Sequence, residues 1–298
     1  VLYSQIARPY AMGFFLMMLF AYCWKQLIEK NNWKWSVIVG LIASLSAMTH
    51  YFLALSILIL FLIGISWIFN DRSKWLKYIA SGLIALILFS PHLSITIDQI
   101  SQKGLGWLSS PESDFFIKFI YFSLNEAIWY ILILLLIPLI AHRLKAFRIP
   151  SAKEFSLSLV FIISYLIGYY YSVNVEPVIQ NSTLIFSFPF LLFIPFSFVS
   201  NTLSKRYTNL LAILLMGFGV ISLTVAADFY GPKRFADFEK VAEHIIDWKA
   251  TYGDDLTVLS SSNDSKYLNY YYEKAAFPLE EDMDEFYGRE TIEKESKL

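Results

Sequence analysis

An all-α bundle of membrane-spanning helices is the fold class this sequence predicts, with a small extracytoplasmic α/β domain at its C-terminus. Three observations lead there. The composition is 56% apolar and only 16% charged, with a mean hydropathy of +0.51, well above that of a soluble enzyme of this length. Eight apolar stretches fill residues 9–227, and the basic residues between them fall on alternate sides. Hydrocarbon offers backbone groups no water, so a span must be a helix of roughly 20 residues or a closed barrel. The runs lack the period-2 alternation of a barrel, so helices are predicted.

The first stretch, 9–24, is followed by Lys25, Lys30 and Lys34. The second and third, 37–49 and 52–69, meet at His50 and Tyr51, and Arg72, Lys74 and Lys77 follow the third. The fourth, about 78–97, opens into the polar segment 98–114. The fifth runs to Ala141, with Asn125 and Glu126 near its start and Pro138 near its end; His142, Arg143, Lys145, Arg148 and Lys153 come next. The sixth covers about 155–173 and the seventh about 184–199, with Lys205 and Arg206 before the eighth, 210–227. The stretch 37–49 is short for a full crossing unless Trp33, Trp35 and Tyr51 sit in the interface.

Lysine and arginine in short loops favour the cytoplasmic side. Loops 25–34, 70–77, 142–154 and 201–208 are basic and share one side under an eight-span count. Merging 37–69 into one span would break that alternation, so two helices are predicted there. Residues 1–8, the loops 98–114 and 174–182, and the tail are then extracytoplasmic. The chain divides into a membrane region, 1–228, and an outer domain, 229–298.

In the tail, Phe235, Phe238, Val241, Ala242, Ile245 and Ile246 recur at helical spacing up to about Tyr252. Gly253-Asp254-Asp255 stops that helix, and 256–260 reads as a buried strand. Residues 261–264 form a loop and N-cap before a helix through 266–272. The αβα order is that of part of a small α/β domain. No phosphate-cradling glycine motif occurs. The net charge of −1 argues against a nucleic-acid partner, and the lone Cys23 excludes an intrachain disulfide.

Few residues carry candidate chemistry. Arg8 sits at the outer mouth of the first span, where a guanidinium can grip a phosphate through two parallel bonds; the plainer alternative is an interfacial anchor with a snorkelling stem. His50 and Tyr51 lie on the same outer side. A neutral imidazole there can donate to a sugar hydroxyl, and a charged one can pair with a phosphate; a bond joining two helices serves equally well. His92, after Pro91, reads as packing at a kink. The outer loop holds Asp98, Gln99, Gln102, Lys103, Gly104, Gly106, Trp107 and Glu112. Trp107 is either a plate for a sugar ring or a belt residue. Glu126, a carboxylate just inside a span, faces a polar cavity or serves the interface. The dispersed histidines give no metal-ligand spacing, so a metal site built by the protein is not expected. Asn181-Ser182-Thr183 and Asn263-Asp264-Ser265 match the glycosylation sequon.

Taken together, Ser4-Gln5-Ile6-Ala7-Arg8-Pro9-Tyr10, Met48-Thr49-His50-Tyr51 and Ser90-Pro91-His92-Leu93 resemble the polytopic GT-C glycosyltransferases, which use polyprenyl-phosphate sugars. The likeness is to the bacterial branch that includes lipid-A-modifying and protein-mannosylating enzymes. The Trp107 loop, the basic inner loops and the outer C-terminal domain also fit, so the resemblance extends over most of 1–275. It implies transfer of a sugar from a polyprenyl phosphate to a lipid, glycan or protein acceptor, with inversion, at the outer face of a bacterial inner membrane. Divalent-cation dependence varies in that family. The implied substrate-binding residues are Arg8, His50, Tyr51, Gln5, Trp107 and Glu126. The catalytic carboxylate of such enzymes lies in a loop after their first helix, so the resemblance implies that it stands upstream of Val1 and that these residues alone are inactive. Where relatives commonly carry a basic residue near 177–189, this chain has Gln180, Asn181, Ser182 and Thr183. Two other classes stay open: a transporter or flippase, which would show internal repeats or broken helices, and a non-catalytic scaffold.

Overall fold

The computed structural model describes residues 9–101, 108–200, 202, 204–226, 238–253 and 266–275. The chain divides into two compact units, 1–227 and 228–298. The first is built from α1 (Tyr10–Lys30), α2 (Trp33–Thr49), α3 (Tyr51–Ile68), α4 (Arg72–Phe89), α5 (Leu93–Ser101), α6 (Phe115–Ser123), α7 (Ile128–Arg143), α8 (Ala152–Ser156), α9 (Leu159–Asn174), α10 (Asn181–Leu184), α11 (Phe188–Ser197) and α12 (Lys205–Ile221). A π-turn, Ser222–Ala226, extends α12.

Each predicted apolar stretch carries helix, yet the count of eight spans is not reached. Among the described residues, five helices are long and apolar enough to cross a membrane, or six if the bent pair α6 and α7 is one span. That pair turns through 88°, where the predicted fifth span is continuous. The cause is local: Asn125 and Glu126 both take left-handed backbone, at φ 56° and 59°. The Glu126 amide turns back to the Tyr121 carbonyl at 2.8 Å. A non-glycine residue pays a steric cost there, and two in succession cannot continue a right-handed helix. α2 has 17 residues. The seventh stretch is divided into the single turn α10 and the 10-residue α11, which has proline at its start and Pro195 inside. The fourth is longer than expected, running as one apolar segment over Arg72–Gln99 through a 3-10 turn at Ser90–His92. There His92 bonds Thr96 at 3.2 Å and packs on Phe89, the local role expected of it.

Four helices form the main core. α1 and α3 run antiparallel to α2 and α4, an order fixed by contacts near the loops. Ser36 donates to the Lys77 carbonyl at 2.7 Å. Gly40 lies so close to α4 that an added Cβ would meet the Ser81 carbonyl at 2.8 Å. With buried Ser36 and Ser44 it gives α2 a small-residue face at every fourth position, which lets two helix backbones approach. Near the same end, Trp24 Nε1–H donates to the Tyr78 hydroxyl at 2.7 Å, which donates to the Phe61 carbonyl at 2.7 Å. Gly64 leaves room for both rings. α9 joins along α3 through Ser56 and Ser164, 3.2 Å apart.

The basic loops gather at one end. Lys153 Nζ reaches the Trp67 carbonyl at 3.2 Å, and Trp67 packs on Trp24. Arg148 holds Glu154 through two bonds, at 2.8 and 2.5 Å, and the Val199 carbonyl at 3.1 Å. Ser200 N–H donates to the Ala146 carbonyl, beside an isolated antiparallel bridge between Phe147 and Val199. Loop 142–154 is thus laced to residues 198–200, just past α11.

In the second unit, α13 (Phe238–Tyr252) and α14 (Lys266–Lys274) pack through Ala242, Ile245 and Tyr272. Lys274 pairs with Glu239 at 2.9 Å. The strand expected at 256–260, on which the α/β reading depends, lies outside the described residues, as does Asn263.

Candidate functional site

At the end of the bundle away from the basic loops, His50 is the single residue between α2 and α3. Its extended backbone (φ −164°, ψ 136°) stops one helix and starts the next. Its N–H donates to the Ser46 carbonyl at 3.2 Å, and its Nδ1 accepts from the Phe52 N–H at 3.1 Å. The side chain therefore does the work of an N-cap, satisfying an amide that α3 cannot. A ring nitrogen that accepts carries no proton, so Nε2–H remains to donate. Burial pushes this imidazole down from 6.5 to about 4, which agrees with a neutral ring.

Around His50 stand Phe186, with ring centroids 5.0 Å apart, Tyr10 at 6.0 Å and Phe52 at 6.2 Å. Phe186 is fully buried and reaches α1 because Gly13 has no side chain; a Cβ there would sit 2.5 Å from the ring. Tyr51, next in the chain, donates its hydroxyl to the Gln99 side-chain carbonyl. The start of α1, the α2–α3 turn, the end of the Arg72–Gln99 segment and Phe186, two residues past α10, thus converge. Beside them, α10 closes its own turn: Gln180 N–H donates to Thr183 Oγ1 at 3.1 Å, and Ser182 and Thr183 are buried.

Of the six residues read from the sequence, His50 and Tyr51 come together here. Gln5, Arg8 and Trp107 lie outside the described residues. Glu126 belongs to a different neighbourhood. It is exposed at the α6–α7 break, beside Leu124, whose carbonyl accepts from buried Ser222 at 3.3 Å. Phe186 and Gln99 were missed as members of one cluster. Phe186 gives no signal in an apolar run, whereas Gln99 stood among the polar residues of the outer loop. Among the described residues, no group of three or more His, Cys, Asp or Glu side chains could hold a metal ion.

Residues 1–95, about a third of the 298, match the family model described as dolichyl-phosphate-mannose-protein mannosyltransferase. The N-terminal third is therefore GT-C-like. The match contains all three short motifs that carry the resemblance, together with Tyr10, His50 and Tyr51. It supports a multi-pass membrane protein with glycosyltransferase character. Comparisons with curated proteins and with solved structures returned no match.

The imidazole state is directly testable. Nitrogen NMR on histidine-labelled protein should find His50 neutral, with the proton on Nε2, from about pH 8 down to about pH 5. Because its folded value is depressed, unfolded chains take up the proton first as pH falls from 6.5 toward 4. Stability tied to the neutral ring is complete above that window and is lost through it. A titration at the ordinary histidine value would overturn the capping geometry.

Proposed function

We propose that this chain forms part of a membrane glycosyltransferase that moves a sugar from a polyprenyl-phosphate donor to a lipid, glycan or protein hydroxyl at the end bearing Tyr10, His50 and Tyr51. The observation that carries the reading is the convergence of these residues, all within the family-matched stretch, at the end opposite the basic loops. In this reading the basic loops face the cytoplasm of a bacterial cell, and the second unit is extracytoplasmic.

The chemistry demands few groups. A carboxylate takes the acceptor's proton as its oxygen attacks the anomeric carbon, and the bond to the phosphate breaks with inversion. Negative charge gathers on the departing phosphate, where donors held in place stabilise it. Arg8, two residues before Tyr10, is assigned to that phosphate. The Nε2–H of His50 is assigned to a phosphate or sugar oxygen, and Gln5 and Trp107 to the same outer site. A divalent cation could share the phosphate charge.

Membranes containing the full-length protein and a polyprenyl-phosphate sugar provide the test. Arg8→Ala should raise donor KM or lower turnover by about tenfold or more, with insertion unchanged. Wild-type kinetics would sink the assignment. One observation favours a second reading, a lipid or solute transporter: the broken pair α6 and α7 with Glu126 at the break. Translocation of a labelled lipid or solute without sugar transfer would decide for it.

A further inference from the structure

At the opposite, basic end, α7, α11 and α12 leave a crevice of 120 Å³. Ile137, Ala141 and Leu144 line one side, Val199, Leu211 and Leu214 the other, and half-exposed Tyr207 stands beside them. A second crevice of 410 Å³, reached past the shared Val199 and Leu211, is lined in part by Phe196, Thr208 and Leu215. Both are apolar, and both adjoin α12, whose sides expose Leu210, Ile213 and Met216.

Four cationic side chains stand beside these crevices in the sequence. Arg143 and Lys145 flank Leu144, and Lys205 and Arg206 immediately precede Tyr207. All four are exposed, and none makes an ion pair with a described residue. Of the other cations at this end, Lys25 pairs with Glu29, Lys74 with Asp71, Arg148 with Glu154, and Lys153 reaches the Trp67 carbonyl. Arg72 and Lys77 make no ion pair with a described residue either, but neither adjoins a crevice-lining residue in the sequence. From 128 to 153 and from 199 to 226 the sequence contains no Asp or Glu.

We propose that these crevices hold the acyl chains of an anionic phospholipid whose phosphate is met by Arg143, Lys145, Lys205 and Arg206. The apolar slots open where a span meets its loop, the depth at which a lipid changes from tail to headgroup. The nearby carboxylate, Glu154, is already held by Arg148, and with none left to receive an ammonium headgroup the charge set favours phosphatidylglycerol or cardiolipin over phosphatidylcholine. A soluble phosphate would gain nothing from the slots, and a partner helix would leave four cations unmatched. Such a lipid would brace the part of the bundle that the main core does not reach.

The full chain, purified in mild detergent and offered mixed phosphatidylglycerol and phosphatidylcholine, can be read by native mass spectrometry. Wild type should retain phosphatidylglycerol at least about tenfold in preference. The quadruple variant R143A/K145A/K205A/R206A should lose that preference, and Ala141→Phe, which fills the slot, should cut retention of the tail-bearing lipid while glycerol phosphate fails to displace it. Removing Lys25, Lys30 and Lys34 instead should change nothing. Equal retention of the two lipids by wild type, an unaffected quadruple variant, or an equal loss in the Lys25/Lys30/Lys34 control would each overturn the site. Sugar transfer takes no part in the readout, so the result is independent of the proposed function.

Discussion

Replacing His50 by Asn should leave the bundle standing and cost sugar transfer about a hundredfold. The imidazole has two duties that can be separated. Nδ1 caps α3 by accepting from the Phe52 amide at 3.1 Å, a task at which Asn is as good as any residue. Nε2–H lies on the far side of the ring, beyond the reach of the shorter amide. His50→Asn should therefore change thermal stability by only a few tenths of a kcal/mol, while His50→Ala should lose about 1 kcal/mol with the cap. Both should lose transfer alike. Activity retained by His50→Asn would reduce this residue to a helix joint, and the proposed function would then rest on Arg8 alone.

The second large effect concerns stability. Gly64→Leu should unfold or rearrange the core near the basic loops, at a cost of about 3 kcal/mol or more. A Cβ at Gly64 would lie 1.9 Å from the Tyr78 hydroxyl and 2.6 Å from Trp24 Nε1. Neither can yield cheaply, because Tyr78 is 2% exposed and Trp24 3%, and their hydrogen bonds run on to the Phe61 carbonyl. Displacing the pair would leave buried polar groups unsatisfied. Gly217 is the matched control on a lipid-exposed helix: nothing lies within 4 Å of its Cβ position. Gly217→Ala should be neutral or gain up to about 1 kcal/mol of helix propensity. Melting in detergent, followed by size-exclusion chromatography, compares the two. Equal melting of both variants would show that the close approach at Gly64 is not what holds this region.

Much of this was legible in the sequence, for physical reasons that differ from one element to the next. Apolar runs announce helices because hydrocarbon permits little else. The division at His50 was readable from the alternating charge of the loops, since a single long helix would have put Arg72 and Lys77 on the wrong side. The bend at Asn125–Glu126 was not readable as a break, because neither glycine nor proline marks it; Asn tolerates left-handed backbone, but nothing in the sequence signals it at the following Glu. Pro189 and Pro195 were visible, but not that they would shorten the seventh span to the 10 residues of α11. Nor does hydropathy tell core from lipid: Phe186 is fully buried while Ile213 is mostly exposed, and both are simply apolar letters in apolar runs. A site formed by residues as distant as 10, 50, 99 and 186 is a property of packing, and its polar members alone carry a signal.

The joint at His50 has no slack. Two rods of 17 and 18 residues, each roughly 26 Å long, are hinged through one residue whose backbone and ring are both committed. A tilt of about 4° at that hinge would swing the far ends by roughly 2 Å. Those ends are clasped by Ser36 to Lys77 and by Gly64 beneath Tyr78, so such a swing would have to pry both clasps apart. The ring is accordingly presented like a tool in a vice, and an arriving ligand must conform to it.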